Sequence, residues 1–203
     1  MRQVVTQREI PVAGELKVAA GAIVTPAARE LARERGVSIV EVPLGEEVAA
    51  APPEKILALG SDHGGCQLKE ALKPVFLELG WELRDVGVHA QTPVDYPDIA
   101  VQVAELVAAG TAARGVLVDG AGIGSAMAAN KVPGIRAAAC WDRPSARNSR
   151  EHNDANVLTL GGRLLTATQA EDILRTWLGT PFAAGRHQAR VQKIAEIEKR
   201  YSR

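Results

Sequence analysis

The chain has 203 residues, and its 24 Lys plus Arg balance its 24 Asp plus Glu. It therefore lacks the basic excess that drives binding to nucleic acid or to acidic membrane surfaces, and no apolar run is long enough to span a bilayer. Two cysteines and the lack of an apolar N-terminal stretch argue against a secreted, disulfide-held protein. We expect a cytoplasmic protein with one main core and a small addition.

Residues 1–42 are predicted to form a small N-terminal α/β extension. Thr25 followed by Pro26 is typical of a helix start, and Gly36 of a helix end. Short apolar runs at 16–19 and 37–42 are candidate strands. Residues 43–53 contain Pro, Gly, Ala and acids without periodicity, which indicates a linker to a main domain at 54–203.

The main domain alternates short apolar runs with helical stretches, which is typical of a parallel sheet with helices on both faces. We therefore predict an α/β fold. The predicted strands are 56–59, 82–86, 115–118, 137–140 and 157–160. The predicted helices are 67–79, 99–109, 125–131, 145–151, 167–178 and 186–201.

The most informative segment is VLVDGAGIGSAMAANK, at 116–131. Asp119 ends a predicted strand, and ligands of open α/β sheets bind at the carboxyl ends of strands. Gly120, Gly122 and Gly124 lack Cβ atoms, so their backbone amides can approach one oxyanion beside a helix N-terminus. This pattern predicts an anion-binding turn that carries a carboxylate. The alternative is an ordinary strand-to-helix turn whose glycines only permit close packing.

Three further polar segments lie at the ends of predicted elements: SDHGG at 61–65, SREHND at 149–154 and GRHQAR at 185–190. In the last of these, Arg186 and Arg190 are four residues apart and share one helix face. Taken singly, each segment could be a helix cap or a solvated surface. Together, at element ends of one domain, they favour a functional site.

From residue 55 to 201 the chain resembles the family of type B ribose-5-phosphate isomerases and galactose-6-phosphate isomerases. The resemblance rests on SDHGG (61–65), DYPD (95–98), GAGIG (120–124), AANKVPGIRA (128–137), SREHNDANVLTLGGR (149–163) and GRHQAR (185–190). It implies a Rossmann-like sheet of five parallel strands in the order 2-1-3-4-5. It also implies an aldose–ketose isomerase of a sugar phosphate, with ribose 5-phosphate as the first candidate, that needs no metal or other cofactor.

The resemblance also implies roles for individual residues. Asp119 matches the proton acceptor and His152 the proton donor, and the amides of Gly120, Ala121, Gly122, Ile123 and Gly124 would hold the enediolate intermediate. The residues matching sugar contacts are Asp62, His63, Tyr96 and Asn153.

Three arginines match groups that hold the phosphate: Arg163, Arg186 and Arg190. In the family, those of the last helix typically reach into a partner subunit's site. This implies a homodimer or tetramer with sites shared between subunits.

The chain departs from the family at two positions of the turn. Asp119 replaces the usual cysteine, and Ala121 replaces a threonine. In addition, Ser125 stands where some members place a glutamate base. Reference pKa values of about 3.9 for Asp and about 8.5 for Cys make Asp the weaker base, but a free thiol is only about 3% ionised at pH 7. With a Brønsted slope of roughly 0.5, the net penalty is about tenfold.

Other interpretations remain open. An aspartate at this position also resembles the subunit of two-subunit galactose-6-phosphate isomerase that lacks the cysteine, so the chain could be a catalytically silent, sugar-phosphate-binding subunit. Cys66, in the first turn of a helix, is a rival base. A metal site built from His63, His152, Asp62 and Asp119 would lack a close ligand pair. A dinucleotide fingerprint would lack its third glycine, because Ser125 occupies that place.

The segment GAIVTPAARELARERGVSIVEV, at 21–42, resembles a segment of several enzymes of bacterial microcompartments. This implies that residues 1–42 dock to a microcompartment shell or cargo. The alternative is an arm that stabilises a dimer.

Overall fold

The computed structural model describes residues 4–11, 14–19, 21–42, 55–90 and 92–201. It divides into two compact units, Met1–Pro52 and Pro53–Arg203. The predicted linker at 43–53 lies outside the described residues. Within the described ranges, no helix is both long and apolar enough to cross a membrane.

The described residues of the first unit form two pairs of parallel strands, a 3-10 turn at Gln7–Glu9 and one α-helix. The strands are β1 (Val4–Val5), β2 (Glu15–Ala19), β3 (Ile23–Val24) and β4 (Ser38–Val42), and the helix is α1 (Pro26–Glu34). β1 pairs with β3, and β2 with β4. Thr25 caps α1 through a hydrogen bond of 3.3 Å from the Ala28 amide to Oγ1, so the predicted helix start is confirmed. β1 and β3 were not predicted, because two residues cannot show periodicity.

The second unit carries five parallel strands and six α-helices among its described residues. The strands are β5 (Ile56–Ser61), β6 (Glu82–Asp85), β7 (Arg114–Asp119), β8 (Ala137–Ala139) and β9 (Val157–Gly161). The helices are α2 (Cys66–Glu78), α3 (Tyr96–Ala108), α4 (Ile123–Ala129), α5 (Arg143–Glu151), α6 (Ala167–Gly179) and α7 (Gln188–Tyr201), the last preceded by a 3-10 turn at Gly185–His187. The prediction of a Rossmann-like α/β sheet is confirmed.

The order of the last two strands was predicted wrongly. The sheet runs β6-β5-β7-β9-β8, which is 2-1-3-5-4 in the numbering of the predicted strands and not 2-1-3-4-5. β9 is buried along its whole length and pairs with both β7 and β8. β8 consists of three half-buried alanines, and an alanine strand buries too little apolar surface to favour a central place.

Alternate residues of each central strand face two separate apolar layers, as expected for a sheet covered on both sides. Leu57 and Leu59 pack in one layer with Phe76 and Trp177, from α2 and α6. Ala58 packs in the other layer, with residues of α3 and α4. Because all five strands run the same way, the sheet has a carboxyl edge, where its strands end, and an amino edge, where they begin.

Candidate active site

Three loops meet at the carboxyl edge, following β5, β7 and β9. They approach so closely that side chains would not fit between them. A Cβ on Gly122 would lie 2.8 Å from the Leu160 carbonyl carbon, and a Cβ on Gly162 would lie 2.9 Å from the Gly64 oxygen. Since real Cβ atoms do not approach other atoms this closely, these glycines are required by contact between backbones. The 61–65 and 120–124 motifs, far apart in sequence, therefore form one surface.

Side chains from three different parts of the chain surround the turn after Asp119: Asp62 follows β5, Tyr96 begins α3 and Arg163 follows β9. A Cβ on Gly124 would lie 2.6 Å from the ring of Tyr96, the first residue of α3. A Cβ on Gly120 would lie 3.7 Å from Cδ of Arg163. Asp62 is buried, and its Oδ1 accepts a hydrogen bond of 2.9 Å from the Gly65 amide. Tyr96, Arg163 and Asp62 thus lie around the turn that sequence reasoning selected.

His63 is tied to the loop that precedes α3. The Val94 amide donates a hydrogen bond of 3.4 Å to His63 Nδ1. Because Nδ1 accepts this bond, the proton of the neutral ring is on Nε2. We call Asp62, His63, Tyr96, Asp119 and Arg163 the carboxyl-edge cluster.

The carboxylate of Asp119 is buried and is held by the turn that follows it. Asp119 is only 3% exposed. Oδ1 accepts hydrogen bonds from the amides of Ala121, at 2.8 Å, and of Gly122, and Oδ2 accepts one of 2.9 Å from the Ser125 amide. Burial raises the pKa of this carboxyl, but hydrogen bonds from Ser125, Gly122 and Ala121 outweigh burial and hold the pKa below its ordinary value.

This arrangement changes one expectation. The amides of Ala121 and Gly122 were expected to hold the enediolate together with those of Gly120, Ile123 and Gly124, but in the structure they donate to Asp119. The physical reason is local, because an aspartate just before a tight turn readily bonds the amides that follow it. Of the five amides, those of Gly120, Ile123 and Gly124 remain for a ligand.

A second polar cluster lies at the amino edge. His152 ends α5, and its ring stacks on that of His187 with centroids 4.1 Å apart and planes 5° apart. Arg186 donates a hydrogen bond of 3.4 Å to His187 Nε2. The positive charge of Arg190 helps to lower the pKa of His187. We call His152, Asn153, Arg186, His187 and Arg190 the amino-edge cluster.

One chain does not bring Asp119 and His152 together, although the sequence placed them in one site. Asp119 pairs with Gly161, the last residue of β9, whereas His152 precedes Val157, the first residue of that strand. At a rise of about 3.3 Å per residue, β9 alone separates the two edges by roughly 15 Å. The predicted site residues therefore fall into two groups on opposite edges of the sheet.

Sequence reasoning missed two groups in these clusters. His187 is buried, and its Nδ1 has no hydrogen-bond partner among the described residues; burial lowers the pKa of His187, and His152 and Arg186 lower it further. His187 lies inside GRHQAR (185–190), where the functional residues predicted from the sequence were Arg186 and Arg190. Asn148 contacts His152, but an exposed helix position gives no signal in the sequence.

The rival base finds no support in the geometry, and the rival metal ligands are separated, since Asp62, His63 and Asp119 lie at the carboxyl edge and His152 at the amino edge. Cys66 is buried, and its thiol donates to the Val88 carbonyl oxygen at 3.5 Å, as a packed side chain does. Within the described part of the chain, the group that could hold a metal ion is Glu70, Asp85 and His89. The ammonium groups of Lys69 and Lys73 each lie 2.7 Å from Asp85 Oδ2, so this group is already neutralised by cations.

Comparison with known proteins agrees with this geometry. The family model described as Ribose/Galactose Isomerase matches residues 57–194. Ribose-5-phosphate isomerase B of Escherichia coli is 44% identical over 146 residues, which cover 72% of this chain and 98% of that protein. The chain is also 36% identical over 143 residues to ribose-5-phosphate isomerase B of Mycobacterium tuberculosis, covering 70% of this chain and 88% of that protein.

Solved structures give the same result. The chain superposes on ribose-5-phosphate isomerase B of Clostridium thermocellum with a TM-score of 0.71 and 50% identity, covering 72% of this chain and 99% of that one. The Mycoplasma genitalium ribose-5-phosphate isomerase B, solved with bound ribulose-5-phosphate, superposes with a TM-score of 0.68 at 36% identity, covering 71% of this chain and 96% of that one.

Proposed function

Because the chain belongs to the ribose/galactose isomerase family and is a sugar-phosphate isomerase, we propose that it interconverts ribose 5-phosphate and ribulose 5-phosphate. The observation that carries this substrate assignment is the carboxyl-edge cluster, where the Asp119 carboxylate, the backbone amides of 120–124 and Arg163 converge on one turn. It is supported by the relative that holds ribulose-5-phosphate.

We also propose that a complete site needs two copies of the chain. The amino-edge cluster of one subunit would complete the carboxyl-edge cluster of its partner, in a homodimer or a tetramer built from such dimers. Ile123 and Met127, beside the turn, are 53% and 64% exposed, and no residue of α7 is buried. Exposed apolar side chains next to a site are typical of a surface that another protein covers.

In this shared site the reaction needs one base, one proton donor and one place for negative charge. Asp119 removes the proton from C2 of the open-chain sugar, the electron pair forms a C1–C2 double bond, and O1 becomes the enediolate oxygen. Return of the proton to C1, with transfer of the O2 hydroxyl proton to O1, gives the ketose. The amides of Gly120, Ile123 and Gly124 would stabilise the negative oxygen.

For Asp119 to accept a proton, one of the roughly four acceptor positions of its carboxylate must face the substrate, and hydrogen bonds occupy the others. Three are donated by backbone amides, which are fixed by the turn. The Ser125 hydroxyl also lowers the pKa of the carboxyl, and a hydroxyl can rotate. We therefore assign Ser125 as the donor that yields to the substrate. His152, Asn153 and the three arginines would hold the sugar and its phosphate.

The first test is an assay of the purified chain with ribose 5-phosphate, several hexose 6-phosphates and unphosphorylated ribose. We expect turnover of ribose 5-phosphate, with hexose phosphates slower and ribose slowest. Failure to convert any phosphorylated sugar would reject the proposed reaction.

The two arginines of the amino-edge cluster are expected to bind the phosphate. Replacing both Arg186 and Arg190 by alanine should raise KM for ribose 5-phosphate by about a hundredfold or more, since hydrogen bonds to charged groups contribute about 1.5–3 kcal/mol each. Turnover of unphosphorylated ribose should not change. Arg200→Ala, in the last turn of α7, the helix that also carries Arg190, is the matched control. An equal loss with ribose would show that the arginines act on folding and not on the phosphate.

A second candidate function is a silent subunit that binds sugar phosphates and pairs with an active homologue. The observation that favours it is the set of hydrogen bonds to Asp119, since a lowered pKa makes a weaker base. A silent chain would bind ribose 5-phosphate without turnover. The substitution Asp119→Cys should then give the silent chain turnover, because it restores the family's usual residue and releases the amides of Ala121 and Gly122.

For residues 1–42 we propose an assembly role, docking the cytoplasmic enzyme to a bacterial microcompartment shell or its cargo. Support comes from the sequence resemblance and from the separate core of this unit, which includes Val5, Val18 and Ala28. Deleting residues 1–51 should abolish co-purification with shell proteins while leaving kcat unchanged. A change in oligomer size alone would instead identify an arm that stabilises the dimer.

A further inference from the structure

Asn148, one turn before His152 on α5, makes a set of hydrogen bonds that fixes the proton position on the His152 ring. Its Nδ2 lies 2.9 Å from His152 Nδ1. Its backbone oxygen and its Oδ1 lie 3.3 Å and 3.4 Å from Asn153 Nδ2. All three residues belong to, or directly touch, the amino-edge cluster.

The orientation of each amide follows from one group whose role is certain. A backbone carbonyl oxygen can only accept, so the Asn153 side-chain atom beside it must be the NH2 group. That NH2 also faces the Asn148 side chain, whose nearer atom must then be the acceptor Oδ1. The other terminal atom of Asn148, which faces His152, is therefore the donor Nδ2. His152 Nδ1 must accept from it, and the proton of the neutral ring is on Nε2.

Stacking on His187 fixes the plane of the His152 ring, which lies in contact with Asn148. The His152 ring lies flat on that of His187, with centroids 4.1 Å apart and planes 5° apart, so its plane is fixed. His187 is buried in the turn before α7. A neutral imidazole with a fixed tautomer can act as a directed hydrogen-bond donor in an isomerase.

We propose that Asn148 is a positioning residue, which holds His152 in the tautomer that presents Nε2–H to the sugar. This rests on the proposed function, in which His152 contacts a sugar oxygen. Asn148 itself would not touch the substrate. Its function would be to exclude the tautomer with the proton on Nδ1, in which Nε2 could only accept.

The test reads the tautomer directly, by long-range proton–nitrogen NMR correlation on the nitrogen-labelled full chain. The chain has four histidines, and loss of one set of signals in His152→Ala assigns His152. In the wild type we expect Nδ1 to be unprotonated and Nε2 protonated. Asn148→Asp places an acceptor at Nδ1 and should move the proton to that nitrogen. Asn148→Leu removes the donor and should give a mixture.

Kinetics provide the second readout. Asn148→Asp should lower kcat for ribose 5-phosphate by about tenfold or more, because a wrong tautomer leaves no donor toward the substrate. KM should stay within about twofold, since Asn148 binds no part of the substrate. The matched control is Arg147→Leu, at the neighbouring exposed position of α5, which should change neither readout.

Two outcomes would overturn the tautomer assignment: a wild-type His152 with its proton on Nδ1, or an Asn148→Asp variant whose tautomer is unchanged. A reversed tautomer with unaltered kcat would instead reject His152 as a catalytic donor, and with it the catalytic part of this proposal. Failure of the proposed function is in this way separated from failure of the inference about Asn148.

Discussion

Replacing Asp119 by asparagine should lower kcat for ribose 5-phosphate by about a thousandfold, within the range that a positioned general base contributes. Asparagine is close to aspartate in size, but its amide cannot take the C2 proton. Because the arginines that would bind the phosphate are untouched, KM should change little. Steady-state kinetics with ribose 5-phosphate measure both constants. A variant that keeps kcat within tenfold of the wild type would reject Asp119 as the base.

The same substitution should also destabilise the fold. In the variant, an NH2 group must face either the Ser125 amide or the amides of Ala121 and Gly122, and a buried donor without an acceptor costs about 1–3 kcal/mol. Asp142→Asn is the matched control, since Asp142 also accepts from a helix amide, that of Ser145, but is exposed.

The pH dependence of this effect has a definite sign. The pKa of Asp119 is lower in the fold than its ordinary value of 3.8. Its stabilisation is therefore fully present above pH 3.8 and is lost as the pH falls through the lower folded pKa. Urea unfolding of wild type and Asp119→Asn should give the larger difference at pH 7 and a smaller one in acid.

Apart from the two-residue strands β1 and β3, the strands and helices were predictable because their physical signals are local. Thr25 and Pro26 mark the start of α1, and the apolar run ending at Asp119 marks β7. Strand order is not local. The apolar residues of β9 are longer and branched, whereas β8 consists of three alanines. This difference favours β9 inside the sheet and β8 at its edge.

The candidate site was predictable in its members but not in its arrangement. The glycines at 120, 122 and 124 indicated a turn, and Gly122 in it makes a close contact with the backbone of β9. The bonds from that turn to Asp119 depend on the side-chain rotamer, which no spacing reveals. The separation of His152 and Asp119 was missed although the predicted parallel strands imply it, because a residue that follows one strand and a residue that precedes another lie on opposite edges of the sheet.

The central claim is that each site combines the carboxyl-edge cluster of one subunit with the amino-edge cluster of its partner. Mixed oligomers test it. Asp119→Asn and His152→Ala should each be inactive alone, because every site in either homodimer contains a lesion. In a mixed dimer, one site receives both lesions and the other receives none.

The decisive measurement is therefore the ribose 5-phosphate turnover of the two variants co-expressed in equal amounts. With about half of the dimers mixed and one of their two sites intact, about a quarter of wild-type activity should return. The control pair, His152→Ala with Arg186→Ala/Arg190→Ala, carries both lesions in the amino-edge cluster and should show no more activity than the separate variants. Activity of the first pair no higher than that of the separate variants would contradict the shared site.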